Sequence, residues 1–312
     1  MSKKIIRIGS RASKLALWQS QWVQAQLQES GFQSEIQKIE TQGDKILDVP
    51  LAKIGGKGLF VKEIEEALLR EEIDIAVHSM KDMPAALPEG LQIGPIPLRE
   101  DPRDALISRE GKSLADLPQG ALVGTSSLRR QAQLLALRPD LNIVSLRGNL
   151  DTRLRKVKEG QFEAILLAAA GLHRLGQASE ITEYLEADSF LPAIAQGALA
   201  IQFRQHDIET LDRILFLNHT ETGFAVKAER ALLARLEGGC QVPIAGHAFF
   251  SEGGITLKGR VLSLDGKQVI EETQTAPPSE AEPLGIAVAE ALLAKGADAI
   301  LKALYSADSD AV

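Results

Sequence analysis

The sequence predicts an α/β protein: two doubly wound lobes, then a small α+β third domain with a three-stranded antiparallel sheet. Three observations predict this. Short apolar runs alternate with helical patterns through the first two thirds of the chain, the mark of βαβ units and mostly parallel sheets. Two strand-to-helix junctions, "IRIGSRAS" near Ser10 and "LVGTSSLRR" near Ser126, repeat one order of residues: apolar run, glycine, hydroxyls, arginine. After about Phe216 the alternation gives way to a helix, three alternating strands and a closing helix.

The elements follow in order. "IIRIG" (5–9) reads as a strand, and a helix begins near Ser13 with Leu15, Trp18, Trp22 and Ala25 three or four residues apart. "SEIQKIE" alternates as a strand should, and "FVKEIEEALLRE" (60–71) is an amphipathic helix. "IDIAVHS", "ALVGTSS", "NIVSLRG" and "EAILLAA" are four further short strands, each ending in small or polar residues. "LPAIAQGALAIQFR" (191–204) reads as a segment passing between the lobes. A helix is expected over 221–236 and strands near 245–251, 255–262 and 268–274, joined by "EGG" and the hairpin signal "DGK". One closing helix is expected from "PPSEAEPLGIAVAEALLAKGADAILKAL". The expected boundaries are 1–97 with 198–215 for the first lobe, 98–197 for the second and 216–312 for the third domain.

Composition narrows the function. The chain is 312 residues long, with 45% apolar and 25% charged residues, ordinary for a soluble protein. "MSKKIIRIGSR" has too short an apolar stretch for a secretory signal, and no run reaches the ~18 residues of a membrane span. With a single cysteine, a reducing cytoplasm is the expected location. The histidines at 78, 173, 206, 219 and 247 lack ligand-like spacing, so no metal is expected. Net charge is −7, yet Thr125 to Arg174 holds nine Lys and Arg against four Asp and Glu, a local +5. That segment contains one aromatic residue, Phe162, and so lacks the stacking platforms of a nucleic-acid surface. A local site for small anions is the better reading.

Several groups carry possible chemistry. "IAVHSMKDMP" places His78, Ser79, Lys81 and Asp82 at the end of a buried strand. Asp82 is either one charge in a solvated loop or a catalytic carboxylate that stabilises a developing cation or moves a proton. Arg11, Arg129, Arg130, Arg147, Arg153 and Arg174 nearly all follow a β-run or open a helix. Helix starts favour anions, and guanidinium forks suit carboxylates and phosphates. "KIGGKGLF" (53–60) departs from the nucleotide-loop pattern, because Gly58 and Leu59 follow Lys57. It fits a glycine-rich lid carrying Lys57 and Phe60, favouring a polycarboxylate over a nucleotide. Cys240, in "LEGGCQVPIAG", has three readings: a small buried hydrophobe, a nucleophile served by His247, or a covalent anchor for a carbon electrophile.

Nine segments, in this order, resemble the porphobilinogen deaminase (hydroxymethylbilane synthase) family: "GSRASKLAL", "TQGDKILDVPLAKIGGKGLFVKEIE", "DIAVHSMKDMP", "EDPRDALIS", "GTSSLRRQAQL", "LRGNLDTRL", "LAAAGLHRLG", "QGALAIQ" and "LEGGCQVPIAG". They span roughly residues 5 to 246. The resemblance implies lobes similar to periplasmic solute-binding proteins and a dipyrromethane cofactor, one per chain, joined to Cys240 by a thioether. It implies head-to-tail condensation of four porphobilinogens onto that primer with loss of ammonia, then hydrolytic release of hydroxymethylbilane, in tetrapyrrole (haem) biosynthesis. By matching motif, Asp82 becomes the catalytic carboxylate, a buried group that stabilises an azafulvenium-like cation. Lys81, Ser127, Arg129 and Arg130 would hold the cofactor's carboxylates. Arg11, Ser13, Arg147, Arg153 and Arg174 would receive substrate and growing chain, and Lys57 and Phe60 would lie on the lid. A cytoplasmic monomer is implied, with its product passed to the next enzyme of the pathway and no nucleic-acid or membrane partner. Ala195 departs from the pattern, since many members have glycine before Gln-Gly. The alternative is a two-lobed anionic solute-binding protein without catalysis; a cysteine hydrolase would need a histidine near the sulfur.

Overall fold

A computed structural model describes residues 5–45, 61–236 and 242–309. By contact density the chain divides into one unit of residues 1–100 and 197–223 and another of 101–196 and 224–312.

The first unit begins with β1 (Ile6–Ser10), α1 (Lys14–Glu29) and β2 (Ser34–Lys38). There follow the short α2 (Gln42–Lys45), α3 (Lys62–Leu69), β3 (Ile75–Ser79), a 3-10 turn over Met80–Asp82 and β4 (Leu91–Ile93). Helix α1 starts where predicted because Ser13 caps it, its Oγ accepting the N–H of Ala16 at 3.3 Å. Its buried stripe is Ala16, Gln19, Ser20, Val23 and Leu27 rather than the predicted Leu15–Trp18–Trp22–Ala25 face. Trp22 packs at the margin of the core and Ala25 is exposed. The tryptophans border the buried stripe, whose centre holds two polar residues.

The second unit contributes β5 (Asp104–Ser108), β6 (Leu122–Gly124), α4 (Leu128–Leu137), β7 (Asn142–Val144), α5 (Leu150–Lys158), β8 (Ala164–Ala168), α6 (Ala169–Arg174) and β9 (Glu183–Leu185). The chain then returns to the first unit with β10 (Leu199–Arg204) and α7 (Ile208–Ile214). Helix α8 (Thr220–Arg235) leads to β11 (Ile244–Ser251), β12 (Gly254–Leu262), β13 (Val269–Ala276), α9 (Ala281–Ala294) and α10 (Ala297–Ser309).

The two five-stranded sheets have orders β2-β1-β3-β10-β4 and β7-β6-β8-β5-β9. In the first, β10 runs antiparallel to both neighbours; in the second, β5 does. Four strands of each sheet therefore share one direction and the fifth is reversed. The predicted parallel character holds for β1–β2, β1–β3, β6–β7 and β6–β8. The reversed strands did not stand out in the sequence, because β5 is a five-residue run with no alternation, all of it buried. Ile8, Val23, Ile75, Ile201 and Phe203 form core on one face of the first sheet. Leu106, Val123, Leu134 and Leu166 lie on one face of the second, and Ile107, Leu146, Ile165 and Leu167 on the other.

The three-stranded sheet, β11-β12-β13, is fully antiparallel and closely follows the predicted strands. The closing segment differs from its prediction: it is two helices, α9 and α10, separated at Lys295–Gly296. Among the described residues no helix is long and apolar enough to cross a membrane.

Candidate active site

Because β1, β2 and β3 are parallel, their C-terminal ends lie on one edge of the first sheet, with the N-terminal end of β10. Arg11 and Ser13 follow β1 there. Lys81 and Asp82 follow β3, and Ser79 Oγ accepts the side-chain amide of Gln19 at 2.9 Å. The 3-10 turn after β3 points Met80 and Met83 into the core, each 1% exposed, and leaves Asp82 exposed and Lys81 half-buried. The expected buried carboxylate is thus corrected: the strand is buried, and the turn lifts Asp82 out of it.

His78 on β3 is buried and held neutral. Burial, aided by the positive charge of Arg11 and opposed by Gln202, lowers its pKa to about 4. Its Nε2 is buried without a hydrogen-bond partner among the described residues.

The second unit has a corresponding edge, formed by the C-terminal ends of β6, β7 and β8 and the N-terminal end of β5. Ser127 caps α4, its Oγ accepting the N–H of Arg130 at 3.4 Å. Arg129 and Arg130, in the first turn of α4, are only 4% and 6% exposed. Both are paired with Asp104, which is 0% exposed at the start of β5. Arg129 Nη1 donates to Asp104 Oδ2 at 2.7 Å and to the carbonyl of Leu191 at 2.7 Å. Arg130 donates through Nε and Nη2 to Asp104 Oδ1 at 3.0 and 2.6 Å, and through Nη1 to the carbonyl of Leu166 at 3.0 Å. Gln196 adds its amide to Asp104 Oδ1 at 3.0 Å. Burial alone would raise the pKa of Asp104, but the fields and hydrogen bonds of the two guanidiniums hold it well below the usual carboxylate range. Burial lowers the pKa of Arg129, against the attraction of Asp104.

Among the described residues two guanidiniums face one carboxylate, which leaves one positive charge in a buried place. A buried charge is costly unless it is paired, so the arrangement has an electrostatic demand for an anion. The other predicted arginines lie along the same edge. Arg147 follows β7, Arg153 lies in α5 with its Nε donating to the carbonyl of Gly148 at 2.9 Å, and buried Arg174 ends α6. Asn149 caps α5 by accepting the N–H of Thr152 at 2.9 Å. Lys57, Phe60 and Cys240 lie outside the described residues. Asp104 and Gln196 were missed by the sequence reading. Their signal, an acidic residue opening an apolar run and a glutamine before a glycine, has meaning only once β5 and α4 are side by side.

Such an edge, with guanidiniums and capped helix starts at the ends of parallel strands, is the place where α/β proteins hold small ligands. A family model described as porphobilinogen deaminase, dipyrromethane cofactor binding domain, matches residues 6–212, and one for the porphobilinogen deaminase C-terminal domain matches residues 224–294. The chain is 59% identical to a porphobilinogen deaminase of Syntrophotalea carbinolica, over 97% of this chain and 97% of that one. It is 58% identical to one of Geobacter metallireducens, over 98% and 96%. It is 55% identical to one of Syntrophobacter fumaroxidans, over 98% and 100%. The chain belongs to the porphobilinogen deaminase family, a family of enzymes with a dipyrromethane-binding domain. Solved structures are more distant. A methionine-binding protein gives TM-score 0.43 at 15% identity, over 68% of this chain and 89% of that one. A periplasmic binding protein of Salmonella typhimurium gives 0.40 at 14%, over 69% and 91%. The donor set fits the cofactor, whose pyrroles carry carboxylates: an excess buried guanidinium charge is the complement such a group requires.

Proposed function

We propose that the chain condenses four porphobilinogen molecules head to tail, releasing ammonia at each step, and frees the linear tetrapyrrole by hydrolysis. The observation that carries this reading is the buried Arg129–Asp104–Arg130 cluster, in which, among the described residues, two guanidiniums share one carboxylate. A dipyrromethane held by a thioether at Cys240 supplies the pyrrole terminus onto which units are added. Arg129, Arg130, Lys81 and Ser127 bind its acetate and propionate groups. Arg11, Ser13, Arg147, Arg153 and Arg174 bind those of the incoming substrate and growing chain. Ser13 Oγ already accepts the N–H of Ala16 and keeps its own proton to donate. Lys57 and Phe60 belong to a lid.

Asp82 has the central chemical role. In each step the aminomethyl C–N bond of porphobilinogen breaks, nitrogen leaves as ammonia, and the methylene forms a bond to a pyrrole carbon that gives up its proton. The Asp82 carboxylate orients the pyrrole N–H, stabilises the positive charge developing on the methylene-pyrrole as ammonia leaves, and accepts the proton that the attacked pyrrole carbon gives up. The three-domain division at 1–97 with 198–215, 98–197 and 216–312, a monomeric state, a cytoplasmic location and transfer of product to the next enzyme belong to the same proposal.

Intact mass tests it. The purified chain should be heavier than its sequence by two porphobilinogen units less their ammonia, and Cys240→Ala should abolish the excess. An unmodified wild-type mass together with turnover in Cys240→Ala would sink the covalent-primer reading. Asp82→Asn should lose nearly all condensation, and wild-type turnover in it would refute the role of Asp82.

A further inference from the structure

A polar path connects the three-stranded sheet to the arginine pair. Gln133 lies one helical turn after Arg129 on α4, at the i+4 spacing that puts two side chains on one face. It is 1% exposed, and both ends of its amide hold the backbone of Leu191. Its Oε1 accepts the Leu191 N–H at 2.8 Å and its Nε2 donates to the Leu191 carbonyl at 2.9 Å. That carbonyl is the one that receives Arg129 Nη1 at 2.7 Å. From the other side, Arg260 on β12 donates through Nη1 to Gln133 Oε1 at 2.9 Å and to the carbonyl of Ser189 at 2.9 Å. Arg260 is in turn oriented by its cross-strand neighbour Glu271, which accepts from Nε at 2.7 Å.

A second contact fixes the same interface independently. Gly266, in the turn between β12 and β13, lies so close to α4 that a Cβ there would stand 2.3 Å from the backbone N of Ala136 and 2.8 Å from the carbonyl oxygen of Ala132. The sheet is therefore docked on α4 at two points, one polar and one of backbone against backbone.

Arg260 pairs with Ala245 on β11, and β11 begins four residues after Cys240. Strand β12 therefore holds β11, the strand that follows the cysteine, through its backbone ladder, and reaches the guanidinium of Arg129 through the side chain of Arg260, Gln133 and Leu191. We infer that Arg260 and Gln133 are positioning residues that set β11, the strand following Cys240 in the sequence, against the arginine pair, so that a molecule joined to the cysteine meets Arg129. This rests on the proposed covalent primer and on the binding role proposed for Arg129.

The test uses full-length chain made without primer and then supplied with porphobilinogen, following mass gain per folded molecule, with folding checked by circular dichroism. Arg260→Met and Gln133→Met should each load at least about tenfold more slowly, a factor equal to 1.4 kcal/mol. The double variant should load no more slowly than the slower single, and Arg260→Lys should recover part of the rate. Should Gln133→Met fail to fold, Gln133→Glu keeps both accepting bonds but cannot donate to Leu191, and should still load several-fold more slowly. Wild-type loading in the folded single variants overturns the inference. Multiplying losses in the double variant also overturn it, since the two side chains would then act separately. A wild-type chain that gains no mass overturns the primer itself; wild-type loading with unaffected variants overturns only the positioning role.

Discussion

Asp104 and Arg130 form the shortest ion pair of the second sheet's functional edge, 2.6 Å from Oδ1 to Nη2, and the other carboxylate oxygen is taken by Arg129 at 2.7 Å. The proposed anion site is thus organised by an anion of its own. Asp104 lets two guanidiniums stand side by side in a buried place and, among the described residues, carries one charge against their two.

Asp104→Asn should therefore damage more than one hydrogen bond. It strands two buried cations, and breaking a buried ion pair from one side costs about 3–5 kcal/mol. Urea denaturation should show that loss at pH 7. The folded pKa of Asp104 is depressed, so its stabilisation is present above the unfolded carboxylate value of about 3.9 and is lost only as pH falls below that through the folded value. The gap between wild type and variant should stay constant from pH 8 to 5, and a gap that closes within that range contradicts the pairing.

His78 has its effect in a different pH window. Its pKa falls from an unfolded value of 6.5 to about 4 in the folded state, so the unfolded chain takes up the proton first as pH drops. Stability attributable to His78 is whole above about pH 6.5 and declines until about pH 4, a total of about 3 kcal/mol. Denaturation midpoints of wild type should fall more steeply over this range than those of His78→Gln. Parallel profiles would count against a neutral buried imidazole.

Gly285→Ala tests the contact between α9 and α8. A Cβ at 285 would stand 2.6 Å from Cβ of Ala231, closer still to the carbonyl oxygen of Ala228, with backbone on the receiving side. Overpacking of this kind costs about 1–3 kcal/mol, and the ~1 kcal/mol helix preference of alanine offsets only part of it. The variant should melt at lower temperature, and an unchanged or raised midpoint would show that the two helices separate freely.

Ala195 has φ of +57°, with its N–H donated to the buried carboxylate of Glu229 at 2.5 Å. Glycine would relieve about 1–2 kcal/mol of left-handed strain. It would also lose a buried methyl worth about 0.8 kcal/mol and free the unfolded chain by about 0.4–1 kcal/mol. Ala195→Gly should therefore lie within about 0.8 kcal/mol of wild type, measured by the same denaturation. A change of several times that size would mean that the methyl or the strain has another role.

The sequence reading reached most of the elements, because β1, β2, β6, β8 and the three strands of the last sheet each carry a local apolar pattern with turn residues at the ends. It reached the arginines for the same reason: Arg129 and Arg130 directly follow a strand and a serine cap. It did not reach their partner. Asp104 is twenty-five positions from Arg129, and nothing nearby distinguishes it from a surface aspartate until β5 inserts beside β8. The stripe on α1 was misplaced because tryptophans dominate an apolar pattern, while the buried centre is held by Gln19 and Ser20. The role that the family resemblance implies for Asp82 is that of a buried group, but a single 3-10 turn after β3 leaves it exposed.

The reversed strands have a consequence for synthesis. Among the described residues β4 pairs only with β10, and β3 needs β10 on its open side, yet β10 lies beyond the whole of the second sheet in the chain. A polypeptide leaving the ribosome exposes the bare edge of β3 until residue 204 has emerged, and exposed strand edges invite pairing with other chains. The second sheet has all its strands by Leu185, so it can close first as an insertion within an unfinished neighbour. Nascent chains released before Leu199 should therefore aggregate through the first sheet more than those released after Leu217, which carry β10 and also Ile214 and Leu217 of its core.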